Sequence, residues 1–245
     1  MTRHLALLGL VAAVSCRPVN QLEKRPTPVP AGGFAMADAL RLADQYRVTT
    51  ITSRRIKHAE YWSVLQPMLV SPRLKVDIVG KSMMGRELRA ITFGAGPTKV
   101  MMWSQMHGDE ATATMALADI LAWMTAPTTD GIRDRIASSL TVVMIPMLNP
   151  DGAERFQREN AVGVDINRDA RRLSTAEAKT LKAVFDRVKP DFGFNLHDQN
   201  ARTRVGRTGP QAAIAILAPA ADSARSWGPI RSRARLVAAS VTRDF

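Results

Sequence analysis

Residues 99–124 read KVMMWSQMHGDEATATMALADILAWM, and this stretch decides the fold. Lys99–Gln105 is a short, largely apolar run, the pattern of a strand buried on both faces. Glu110–Met124 is rich in Ala, Leu and Met, all strong helix formers. Between them stands a polar turn, His107-Gly108-Asp109-Glu110. A buried strand that turns directly into a helix is the building unit of a layered α/β protein.

The flanking segments repeat that alternation. Residues 58–69 read as a helix that ends before Pro72. Leu74–Val79 alternates apolar and polar, as a strand does, and Gly80–Arg86 turns into a second strand, Glu87–Phe93. Leu140–Met147, with its β-branched Thr141, Val142, Val143 and Ile145, is another buried strand. Ser174 with Glu177 forms a capping box that opens a helix, with Leu181, Val184, Phe185 and Val188 on one face and Pro190 as its stop. Asp191–Leu196 and Ala212–Leu217 read as further strands. The expected class is α/β, in three layers around a mixed, largely buried sheet.

The N-terminus has a different character. Arg3 and His4 precede an apolar run, Leu5–Val14, followed by Ser15 and Cys16. The run has the length of a signal-peptide core and is too short to span a bilayer. Cys16 is the only cysteine, so an internal disulfide is excluded. Residues 1–16 are therefore read as an export signal of the lipoprotein type, with Cys16 as the lipidated residue. Residues 17–36 carry Pro18, Pro26, Pro28, Pro30, Gly32 and Gly33 and form a linker. The folded domain is expected over 37–245, in an exported, periplasmic or membrane-anchored protein.

Composition is that of a globular chain, with 46% hydrophobic and 23% charged residues in 245. The net charge of +12 is Arg-rich and reads as solvated surface. Zinc fingers, basic heptad helices and aromatic nucleic-acid signatures are missing, so no nucleic-acid partner is expected. A membrane is expected as a partner only through a lipid on Cys16.

Chemistry-bearing residues gather at strand ends. Of four histidines, His107 and His197 both fall just past buried strands, where open α/β sheets place their ligand sites. Glu110 stands three residues after His107 on the same turn. A His alone is more often a structural, hydrogen-bonded residue than a ligand, as His58 is expected to be. Two His and one Glu brought together would leave a fourth zinc position for water.

Further segments carry a resemblance. Gly80-Lys81-Ser82 with Gly85-Arg86, the His107–Glu110 turn, Asn149-Pro150-Asp151-Gly152, Arg158-Glu159-Asn160 and Gly163-Val164-Asp165-Ile166-Asn167-Arg168 together resemble the zinc carboxypeptidases, relatives of carboxypeptidase A. The likeness covers about residues 58–220 and implies that family's fold. It implies one zinc ion held by His107, Glu110 and His197, the His₂Glu set known for carboxypeptidase A. It implies that Arg158 polarises the scissile carbonyl, that Asn167 and Arg168 grip the substrate's terminal carboxylate, and that Asp165 hydrogen-bonds the first zinc histidine. The implied partner is a peptide with a free C-terminal carboxylate, attacked by a zinc-activated water.

Three departures from the family pattern stand out. Asp109 occupies a position where digestive carboxypeptidases carry a substrate-binding arginine. His197 is followed by Asp198-Gln199-Asn200 rather than Ser-Tyr. The family's general base, a glutamate downstream of the last ligand, has no counterpart, since Glu177 is the last glutamate. Loss of a general acid–base residue costs about 10²- to 10⁴-fold in rate. Three readings are open: a chain lacking its C-terminal part, a relative that binds without cleaving, or Asp198 as a substitute base. A zinc deacylase acting on N-acylated amino acids is a further alternative, because that group shares the His-x-x-Glu turn.

Overall fold

A computed structural model describes residues 9–13, 36–199, 202–207, 209–212, 215–220 and 222–244. Cys16 and nearly all of the expected linker lie outside the described residues.

The chain builds one six-stranded mixed sheet. Its strands are β1 (Gly9–Ala13), β2 (Leu74–Lys81), β3 (Glu87–Phe93), β4 (Thr98–Ser104), β5 (Leu140–Ile145) and β6 (Phe192–His197). Their order across the sheet is β1-β6-β4-β5-β3-β2. β4 runs parallel to both β5 and β6, while β3 is antiparallel to β5 and β2 to β3. β1 comes from the apolar run read as the signal core, and it lies antiparallel along the outer edge of β6. Short apolar runs of this kind pair readily with an open strand edge.

The helices are α1 (Met36–Gln45), α2 (His58–Leu69), α3 (Thr112–Thr125), α4 (Gly131–Ser139), α5 (Pro150–Arg155), α6 (Ala176–Val188) and α7 (Pro229–Asp244). From β4 the chain crosses by α3 and α4 to β5 on one side, and returns by α6 to β6 on the other. Right-handed crossovers in opposite directions put the helices on opposite faces of the sheet. α2 and α3 cover one face: Tyr61, Trp62, Leu65, Leu117 and Leu121 pack against Ile91, Phe93, Val142, Met144 and Leu196. α6 covers the other, laying Ala178, Leu181, Val184, Phe185 and Val188 on Ala90, Met101, Trp103, Val143 and Ile145. The i, i+3, i+4 spacing of the α6 set supplies the apolar stripe such packing needs. The three-layer expectation is met.

Most predicted elements stand within two residues of their expected bounds, and the differences have local causes. Asn149-Pro150-Asp151-Gly152 opens the short helix α5. Asn149 Oδ1 accepts from Gly152 N at 2.9 Å and Pro150 opens α5, the position where proline's missing N–H costs nothing. The capping box at Ser174 is corrected as well. Thr175 caps α6 by accepting from Ala178 N. Ser174 instead donates to Asp169 at 2.7 Å, and Glu177 turns inward to Met83 N at 3.0 Å and Asn160 Nδ2 at 3.3 Å. The described residues of Ala212–Leu217 form no strand; an isolated bridge pairs Arg204 with Gln211. Arg231 and Arg235 lie on α7, with guanidinium carbons 3.9 and 5.4 Å from the Trp227 ring centroid. Among the described residues no helix is long and apolar enough to cross a membrane.

Candidate metal centre

β4 lies between β5 and β6, and the connections leave it to opposite sides. The strand ends around such a reversal form a crevice that binds ligands. The chain exits β4 through Gln105, whose φ of 51° is a left-handed conformation unusual outside glycine. That turn aims His107 and Glu110 over the C-terminal ends of β4 and β6.

The turn is held from below. Leu148 N donates to Ser104 O and Asn149 N to Gln105 O, both at 3.0 Å, strapping the ends of β4 and β5 together. Asn149 Nδ2 donates to Met106 O and to Arg158 O, each at 3.3 Å. Gly108 packs so tightly on α5 that a Cβ there would stand 2.0 Å from the carbonyl carbon of Gly152. Only glycine allows this approach.

Within this frame the three expected ligands meet. One donor atom from each of His107, Glu110 and His197 lies within 4.8 Å of the others. Glu110 Oε1 is 2.8 Å from His107 Nδ1, and Oε2 is 2.6 Å from His197 Nδ1. The imidazole centroids are 4.7 Å apart. Burial pushes the Glu110 carboxyl up, but hydrogen bonds from both imidazoles outweigh it and hold the group at about 2. A half-buried carboxylate that stays ionised and faces two imidazole nitrogens is the donor set a zinc ion takes. The residues present fit the metal.

The surroundings orient that set. His107 Nε2 lies 3.1 Å from Asp165 Oδ1, a contact on the outer nitrogen that fixes the ring with Nδ1 turned toward Glu110. Asp165 Oδ2 receives Arg158 through Nε at 3.1 Å and Nη2 at 2.9 Å. Burial raises the Asp165 carboxyl, and the Arg158 and His107 partners lower it further than that. Arg158 Nη1 stands 3.2 Å from His107 Nδ1 and 3.6 Å from Glu110 Oε1, a cation at the lip of the site. Asn167 N donates to the same Asp165 Oδ1 at 2.9 Å, which places the Ile166–Arg168 turn beside the centre. The Arg168 side chain is exposed and makes no hydrogen bond or ion pair with a described residue. Arg168 thus shares the turn without touching the ligand cluster.

A model of the zinc carboxypeptidase family matches residues 66–207, more than half of the chain. This chain belongs to the zinc carboxypeptidase family. Among curated proteins, "Probable carboxypeptidase 2" of Arthroderma benhamiae is 30% identical over 129 residues, 51% of this chain and 23% of its own. Carboxypeptidase 2 of Trichophyton tonsurans is 28% identical over 110 residues, 44% of this chain and 20% of its own. The chain thus covers about a quarter or less of these relatives' length. Among solved structures, a metallo-carboxypeptidase from Burkholderia cenocepacia superposes with a TM-score of 0.56 at 18% identity, covering 61% of this chain and 42% of that one. That likeness is one of fold.

For this family member, the structure gives Asp198, read from sequence as a candidate substitute base, a different role, and adds Arg54, which sequence reasoning missed. Asp198 bridges β6 to α3, with Oδ1 accepting from Thr112 N at 3.1 Å and Oδ2 paired to Arg54. Arg54 also donates to Asp109 O at 3.1 Å. Asp198 N lies 3.4 Å from Glu110 Oε2. Burial raises the Asp198 carboxyl, with Arg54 and Thr112 opposing. Both carboxylate oxygens are engaged, so Asp198 braces the ligands and is ill placed to serve as a free base. Nothing in its local sequence marks Arg54, because its partners are far away in the chain.

Proposed function

We propose that this chain forms the metal- and carboxylate-binding part of a zinc-dependent carboxypeptidase that hydrolyses C-terminal peptide bonds. The observation that carries this is the convergence of His107, Glu110 and His197 within 4.8 Å. His107 Nδ1, His197 Nδ1 and a Glu110 oxygen would hold the ion. Zinc bound there supplies Lewis acidity and lowers the pKa of a coordinated water to about 7.

The remaining steps belong to the chain's own side chains. Asp165 holds the His107 Nε2 proton and so keeps Nδ1 available. Arg158, anchored by Asp165, presents its free edge to the scissile carbonyl. A fixed donor at a developing oxyanion contributes about 3–4 kcal/mol. Arg168 and Asn167 receive the terminal carboxylate, the guanidinium as a fork and the amide as a single donor. The partner is a peptide with a free C-terminus, met outside the cytoplasm after export; the apolar run before Cys16 supports that location and a lipid anchor there.

A second reading has its own support. Asp198, which follows His197, is already committed to Arg54 and Thr112. A module that binds peptide carboxylates without cleaving them fits that fact. Incubating the zinc-loaded chain with one peptide as free acid and as C-terminal amide separates the readings by mass spectrometry. Release of single C-terminal residues from the acid alone supports the peptidase. Binding of the acid with no release supports the module, and equal treatment of both peptides overturns each. Parallel N-acylated amino acids test the deacylase alternative.

A further inference from the structure

Asn195 stands in the middle of β6, two residues before His197, so strand alternation points both side chains to the same face of the sheet. Asn195 is 7% exposed. Its Nδ2 lies 3.3 Å from Asn167 Oδ1 and 3.6 Å from Met106 Sδ. Its Oδ1 is buried and has no hydrogen-bond partner among the described residues. The donor half of this buried amide is therefore fully used, while its acceptor half is idle.

That asymmetry fixes which way round each amide sits. Reversing both amides together would keep the bond between them but turn Asn195 Oδ1 onto the Met106 sulfur, which cannot donate to it, so the Met106 contact selects the orientation seen. With Asn195 set, Asn167 must offer its oxygen inward. Its Nδ2 is then the end left to face outward. A carboxylate only accepts hydrogen bonds, so an outward Nδ2 binds it and an outward Oδ1 would repel it.

We propose that Asn195 is a positioning residue that locks the Asn167 amide donor-outward, toward the substrate's terminal carboxylate. The proposal rests on the reading of Asn167 and Arg168 as the carboxylate grip. Asn195 acts through Asn167 and touches no ligand itself. Residues of either type at the end of a sheet would not reveal this from sequence; the pairing spans β6 and the turn after Asp165.

The test measures binding of a dye-labelled peptide to the zinc-loaded chain, as free acid and as C-terminal amide, by fluorescence anisotropy. Asn195→Asp removes the donor and lets Asn167 turn its oxygen outward. The free acid is expected to bind about tenfold to a hundredfold more weakly, the size of a lost hydrogen bond to a charged group. Amide binding is expected to change little. In an Asn167→Ala background the same substitution should cost nothing further, which separates amide orientation from simple charge repulsion. Asn195→Ala gives the same coupled pattern with a smaller loss, should the Asp variant fail to fold. An undiminished cost in the Asn167→Ala background, or no cost at all, overturns the proposal. A parent chain that prefers the acid and loses that preference in Arg168→Ala, yet keeps it in Asn195→Asp, leaves the carboxylate grip intact and overturns this inference alone. A parent that binds acid and amide alike overturns both.

Discussion

At the scale of single residues, the candidate metal centre turns on one carboxylate held ionised between two imidazoles. Glu110 stays ionised because its contacts with two imidazoles outweigh its burial, and Asp165 fixes the His107 ring from its other nitrogen. Removal of that outer partner should loosen the metal without removing a ligand. Asp165→Ala is expected to weaken zinc binding about 10- to 100-fold, read by competition with a fluorescent chelator. Unchanged affinity would show that His107 needs no orienting carboxylate. The sequence marked His107, Glu110 and His197 by their place at strand ends, and Asp165 by a motif. It could not mark Arg54 or Asn195, and it offered Asp198 only as a substitute base, because their contacts at 3.1–3.3 Å join segments far apart in the chain. Glu177 was misjudged for a related reason. A local capping rule assigned it to its own helix, and the fold instead buries it against Met83 and Asn160.

Elements succeed or fail as supports for those residues. The ligand turn rests on α5 through Gly108, where an added Cβ meets backbone at 2.0 Å and has no flexible side chain to displace. Gly108→Ala should therefore lower both the melting temperature and the zinc content, measured on one preparation by scanning calorimetry and metal analysis. An unperturbed Tm would mean the turn has room the packing denies. A second support is Asp169, which accepts four hydrogen bonds from Ser174 and Thr175 between 2.7 and 2.9 Å and so ties the Asn167–Arg168 turn to the start of α6. Burial raises this carboxyl, yet those donors hold it at about 2, below its ordinary value. A folded pKa below the unfolded one adds stability that is present above about pH 4 and lost as pH falls toward 2. Asp169→Asn should thus destabilise clearly at pH 7 in urea unfolding, and the gap from the parent should narrow at pH 3. A gap that widens on acidification would contradict that assignment. Strand and helix identity was legible here because period-2 and period-3.6 patterns are strong in Leu74–Val79 and in α6. Element starts were less legible, since α3 begins at Thr112 only because Glu110 is held back in the ligand turn.

Across the whole molecule, two apolar layers clamp one sheet and the candidate metal centre sits at its reversal point. The α2–α3 layer holds that geometry: Leu117 is 1% exposed among Leu65, Leu121 and the sheet. Leu117→Ala is expected to cost about 2–5 kcal/mol of stability, measured by urea unfolding. A cost below 1 kcal/mol would mean this layer does not seal the core. The three-layer class was legible from the buried runs around residue 99 and residue 140. The strand order was not, because pairing depends on which faces the crossovers cover. The strand at residues 9–13 was likewise invisible, since the same apolar run serves equally as a signal core and as a sheet edge. The account's central claim is a single ion shared by ligands from two strand ends. Zinc-edge X-ray absorption on the metal-loaded chain tests it most directly. Two imidazoles and a carboxylate in the first coordination sphere, falling to one imidazole in His107→Ala, is the result expected; a zinc environment unaltered by that substitution would contradict it.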